Sequence, residues 1–125
     1  PQRVHEFSSQ AEADGFDVII AAAGMSNALA GAIAANTCLP VIGVPLGGGS
    51  LHGFDALLST VQMPPGVPVA TVSVGEAGAK NAALLAIQII ARHDKKLAAA
   101  YKTFKADQAK AVEAKNLALL ERIGS

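Results

Sequence analysis

Asp17-Val18-Ile19-Ile20-Ala21-Ala22-Ala23, running into Gly24-Met25-Ser26-Asn27, decides the fold. Residues 17–23 form a short apolar run without polar alternation. A strand covered on both faces reads this way, because neither side chain direction meets water. Gly24 and Met25 then turn the chain. Ser26 is the expected N-cap of a small-residue helix over 28–36.

The unit recurs downstream. Residues 39–44 (LPVIGV) read as a second strand, 45–53 (PLGGGSLHG) as a loop and 54–61 as a short helix. A third strand is expected over 67–74 (VPVATVSV), a turn over 75–78 and a long helix over 79–92. Strands alternating with helices predict an α/β fold: a three-layer α/β/α sandwich around a parallel sheet. Upstream, Val4, Phe7 and Ala11 give residues 2–14 a helical apolar stripe, and Gly15 is the expected stop. A helix placed before the first strand implies at least one further N-terminal strand, with its loops, ahead of residue 1. Residues 94–122 are rich in Lys, Glu and Ala, with Leu97, Tyr101, Phe104, Val112, Leu117 and Leu120 among them. They predict a long helix with a candidate break at 106–109. The expected division is a catalytic α/β domain over 1–93 and a helical extension over 94–125 that packs on another subunit.

Of 125 residues, 51% are hydrophobic and 16% charged, more apolar than an average domain. Buried strands and covered subunit surface both account for that excess. The formal net charge is zero, which argues against a nucleic-acid footprint. A single cysteine, Cys38, rules out an internal disulfide and a Cys-only metal site. No apolar run is long enough to span a bilayer. A reducing, cytoplasmic setting is the expectation.

In parallel α/β sheets ligands bind beyond the carboxyl ends of the strands. The loops 24–27, 45–53 and 75–78 fall there, and all contain glycine. Glycine lets backbone approach a ligand, and a helix N-terminus favours an anion. No dinucleotide fingerprint or Walker lysine is present. Ser26, Ser50, Ser59 and Ser73 lie outside any G-x-S-x-G, so a serine hydrolase is not supported. His5 reads as a surface residue and His93 as a helix-end cation. His52, in the glycine loop, is a candidate proton carrier. Asp55 is expected to cap the helix after it. No metal site is expected.

Several stretches together resemble the PurE family, the phosphoribosylaminoimidazole carboxylase catalytic subunits or N(5)-carboxyaminoimidazole ribonucleotide mutases. They are residues 40–44, 55–61, Gln62-Met63-Pro64-Pro65-Gly66-Val67-Pro68 and Asn81-Ala82-Ala83-Leu84-Leu85-Ala86. The resemblance covers residues 1–94 and implies a flavodoxin-like sandwich assembled as a homo-octamer, with no cofactor and no metal. It implies that Pro1 ends an S-A-H-R-T-P motif, so that the catalytic histidine lies upstream and no residue of this chain is the catalytic one. Carried onto this sequence, the substrate-binding positions are Gly24, Met25, Ser26, Asn27, Ala28, Leu29, Ser50 and Leu51. Gly47, Gly48, Gly49 and His52 form a candidate lid.

Two classes of the family differ in the first loop. Mutases read A-G-x-x-A-H-L-P-G, whereas Ala23-Gly24-Met25-Ser26-Asn27-Ala28-Leu29-Ala30-Gly31 carries the S-N-x-L-x-G pattern of the class that uses CO2 directly. Residues 45–53 and 62–67 look like the mutase class. The implied activity is carboxyl transfer forming 4-carboxy-5-aminoimidazole ribonucleotide in purine biosynthesis, from the N(5)-carboxylated compound. Direct carboxylation of aminoimidazole ribonucleotide is the alternative. A pyridinium-nucleotide carboxylase and a non-catalytic ring scaffold are the more distant ones.

Overall fold

A computed structural model describes residues 1–124. Its elements run α1 (Gln2–Gln10), β1 (Ile19–Gly24), α2 (Leu29–Ala34), β2 (Val41–Leu46), α3 (Phe54–Val61), β3 (Ala70–Thr71), α4 (Glu76–Ile90) and α5 (Lys95–Ile123). The strands form one parallel sheet in the order β1-β2-β3. The α/β expectation is met, with helices on both faces of the sheet.

Gly15 stops the first helix by a specific closure. Its φ is +85°, the Phe16 N–H donates to the Ala11 carbonyl at 3.1 Å, and the Gly15 N–H donates to Glu12 at 3.1 Å. That pair of bonds is a Schellman motif, which satisfies carbonyls that a helix end leaves bare. The ring of Phe16 meets Phe7 edge-on at 5.6 Å, so the half of the apolar stripe that points outward closes on the turn. The other half goes inward: Ala11 is fully buried and Val4 packs beside it.

β2 is the strand that the sequence describes best. Residues 41–45 are all buried, Val41 in a cluster with Ile19, Ala21, Ala30 and Ile33, Ile42 and Val44 in one with Ala82 and Ala86. These clusters are the two halves of the core, one on each face of the sheet. Each buried Ile or Val contributes roughly 1.5–3 kcal/mol relative to exposure. Gly43 also has a steric task. A Cβ there would overlap Thr60 Cγ2 and lie 2.9 Å from Val69 Cγ1, so its absence lets α3 seat against the middle of the sheet.

Several expectations change. β1 is not covered on both faces: Ile19 and Ala21 are buried, but Ile20 and Ala22 are exposed. They share a face with Ile42 and Val44, where α4 supplies Ala82 and Ala86 over β2. No strand pairs the other edge of β1 among the described residues. The third strand shrinks to Ala70–Thr71, and at its start Pro68 lacks the N–H a ladder needs. Its line continues as separate bonds, Val72 N–H to Gly43 O at 3.1 Å and Gly75 N–H to Pro45 O at 2.9 Å. The fourth helix starts at Glu76, not 79, with a Glu76–Lys80 ion pair at 2.8 Å on its first exposed turn.

The chain divides into two compact units, residues 1–89 and 90–125, where the sequence suggested a boundary after 93. Within the second unit α5 is continuous. Asp94 caps it by accepting from the Leu97 N–H at 2.9 Å, and Gly124 follows with φ +71°. The candidate break at 106–109 is absent, since Ala106-Asp107-Gln108-Ala109 contains neither Gly nor Pro.

Candidate active site at the carboxyl ends of the strands

The three glycine-bearing loops meet at one end of the sheet. Gly24 pairs with Leu46 in the strand register, and a Cβ on Gly24 would lie 3.3 Å from the Leu46 carbonyl oxygen. The second loop folds back on itself: a Cβ on Gly53 would lie 3.0 Å from Gly47 Cα and 2.8 Å from Val74 Cγ1. Gly75, with φ +77°, is tied to Pro45. Parallel strands thus deliver loops one, two and three side by side beyond their carboxyl ends, where ligands bind in such sheets.

Two non-glycine residues among those described have positive φ, Met25 at +53° and His52 at +51°. They sit in the first and second of these loops. A left-handed conformation at a residue with a Cβ costs on the order of 1–2 kcal/mol. Such strain persists only where surrounding bonds fix it, and it concentrates at functional sites. Neither residue is rescued by burial: Met25 is 68% exposed and His52 is exposed as well.

The structure sorts the sequence-derived positions. Met25 and Ser26 are exposed at the tip of the first loop, and Gly24 lies half-buried at its base. Ala28 and Leu29 line an apolar groove with Val4, His5 and Ala32. Asn27 is different. It is 3% exposed, and its side chain is spent on the protein. Its Nδ2 donates to Thr60 Oγ1 at 2.9 Å, and its Oδ1 accepts from the Leu29 N–H at 3.2 Å. Asn27, rather than the expected Ser26, therefore satisfies the start of α2. Ser26 is turned out to solvent because the helix begins three residues later, at Leu29.

In the second loop Gly47, Gly48, Gly49, Ser50, Leu51 and His52 are all exposed, and a Cβ on Gly48 or Gly49 would meet nothing within 4 Å. The anchor at each end is firm, Leu46 in β2 and Gly53, with φ +89°, at the start of α3. Asp55 does not cap that helix as expected. It lies inside the first turn, where an acid suits the helix dipole, while Gly53 occupies the cap position. One Asp55 carboxylate oxygen is sealed from solvent without a protein partner.

His5 bonds Asn36 through Nδ1 to Oδ1 at 2.7 Å on the α1–α2 side, and His93 follows α4. Neither joins His52. Among the described residues no three His, Cys, Asp or Glu side chains converge as a metal site would require. No helix among them is long and apolar enough to cross a membrane.

Thr60 is the residue that sequence reading passed over. A hydroxyl beside Ser59 within the mostly apolar α3 segment FDALLSTV is the signal available for it. Its pairing with a loop 33 positions away is not readable from spacing.

Comparison with known proteins covers this whole region. The family model described as AIR carboxylase matches residues 1–111, which include all three loops. The chain is 54% identical over 97 residues to the N5-carboxyaminoimidazole ribonucleotide mutase of Escherichia coli K12, covering 78% of this chain and 57% of that protein. It is 57% identical over 90 residues to the protein of the same name from Pyrococcus abyssi, covering 72% and 51%. The chain thus spans little more than half the length of these relatives. The crystal structure of Treponema denticola PurE superposes with a TM-score of 0.78 at 30% identity, over 92% of this chain and 70% of that one.

Proposed function

The chain belongs to the AIR carboxylase family, and from that premise we propose that it serves carboxyl transfer to a ring carbon of aminoimidazole ribonucleotide in purine biosynthesis, starting from the N(5)-carboxylated compound. The observation that carries the reading is the family match across residues 1–111, within which every strand-end loop of the site falls. The names of the bacterial and archaeal relatives point to the mutase rather than to direct use of CO2.

The chemistry asks little of side chains. The carbamate N–C bond breaks, leaving CO2 and the free amine. The enamine-like ring carbon then attacks CO2, forming the new C–C bond. A base then takes the proton from that carbon, which balances the proton that the nitrogen gained when the carbamate broke. The sum is an isomerisation that needs no redox partner and no cofactor. What the protein must do is hold CO2 beside the ring carbon and away from water.

Backbone N–H groups of the first loop other than those of Asn27 and Leu29, which donate within the protein, suit the carboxylate, because preorganised donors stabilise charge without reorganising. Gly24, Met25, Ser26, Ala28 and Leu29, with Ser50 and Leu51, line this proposed site, and the buried Asn27 lies beneath it. Gly47, Gly48, Gly49 and His52, exposed between firm anchors, act as the lid. No residue of this chain is given the proton-transfer role. A cytoplasmic homo-oligomer, an octamer as the resemblance implies, belongs to the same reading.

The test supplies the full-length protein with aminoimidazole ribonucleotide plus bicarbonate, and separately with the N(5)-carboxylated compound. Carboxylated product from the second substrate alone is expected. Product from the first at low CO2 makes it a direct carboxylase instead. Product from neither removes the enzyme reading.

A further inference from the structure

We propose that Asn27 is a positioning residue that locks the first strand-end loop onto α3, with Thr60 and Ser59 as its partners. The functional half of this inference rests on the activity proposed above.

Three atoms of Asn27 carry the lock. The backbone N–H donates to Ser59 Oγ at 2.8 Å, Nδ2 donates to Thr60 Oγ1 at 2.9 Å, and Oδ1 accepts from the Leu29 N–H at 3.2 Å. The hydroxyls are already oriented to receive these bonds. Thr60 Oγ1 donates to the Ala56 carbonyl at 2.6 Å and Ser59 Oγ to the Asp55 carbonyl at 2.8 Å. A hydroxyl has one proton and two lone pairs, so spending each proton on the helix leaves the oxygen free to accept from Asn27.

The lock also explains the strain next to it. The Asn27 N–H is shared between Ser59 Oγ and the Met25 carbonyl, the latter at 2.9 Å, which closes a three-residue turn over Ser26 while Met25 is held at φ +53°. A left-handed methionine exposed to solvent has nothing of its own to keep it there. The bonds from Asn27 to α3 supply the constraint. Their footing is rigid, because Thr60 is 1% exposed and its methyl group occupies the space above Gly43 at the centre of the sheet. The position of the loop is thus set by the seating of α3 on β2, and the substrate-facing backbone inherits it.

The experiment compares Thr60→Val with Thr60→Ser in the full-length protein. Valine keeps the shape and removes the acceptor for Asn27; serine keeps the acceptor. In Thr60→Val, hydrogen exchange at residues 25–29 is expected to quicken about tenfold, and KM for N(5)-carboxyaminoimidazole ribonucleotide to rise about tenfold with a fall in kcat. Thr60→Ser is expected to return exchange and KM to within about threefold of the parent. A purely structural role would shrink the folded fraction and leave KM where it was. Unchanged KM in Thr60→Val, or unchanged loop exchange, overturns the inference. If the parent converts neither substrate, the proposed activity falls, and loop exchange alone decides whether Asn27 is the lock.

Discussion

At Gly78 the first turn of α4 closes on the chain beyond the third strand so tightly that a Cβ would overlap the Ser73 carbonyl oxygen. The clash is with backbone, which has no rotamer to yield. Gly78→Ala is therefore expected to cost more than about 3 kcal/mol, read as a lowered midpoint in denaturant unfolding or as failure to fold. Gly48 sits in open space without a positive φ. Gly48→Ala is expected to change stability by less than about 0.5 kcal/mol in the same assay. In the sequence these are two members of glycine-rich turns with nothing to rank them. The same holds for Asn27. Its presence in the first loop is legible, but its burial depends on Thr60, which arrives from another helix. Side-chain commitments across long separations are tertiary facts, and the residue-scale part of the site was the least readable for that reason.

At the scale of elements, local chemistry was a good guide where it acts locally. Gly15 ends the first helix, and α3 occupies Phe54–Val61, the segment its pattern marks. It was a poor guide where neighbours decide. Residues 17–23 look like a strand covered twice, yet Ile20 is 45% exposed, because coverage belongs to the layer above and not to the strand. The third strand is shorter than its apolar β-branched run, since Pro68 withholds a ladder N–H at its start. The long helix α5 has no buried residue, so its own propensity and its cap carry it. Asp94→Ala removes the bond to the Leu97 N–H. It is expected to destabilise the start of that helix by about 1 kcal/mol, seen as faster hydrogen exchange at residues 95–98. Asp94→Ser is expected to recover most of the protection, and equal exchange in all three proteins contradicts the capping account.

At the scale of the molecule, the apolar excess is only partly used inside one chain. Val112, Leu117, Leu119 and Ile123 lie exposed along α5, and Phe54 is 63% exposed at the second strand-end loop. Apolar area left in water favours association. Sedimentation of the full-length protein at micromolar concentration is expected to show an oligomer, and a stable monomer would contradict it. The sequence by itself determined the α/β class and the family, since strand runs, glycine turns and the Gln62-Met63-Pro64 and Asn81-Ala82-Ala83 motifs are all local patterns along the chain. Only the tertiary structure decided which face of β1 is buried, which glycines are sterically required, and that Asn27 reaches inward to α3. Each of these depends on what a residue meets after the helices pack on the sheet, and no local pattern encodes that meeting.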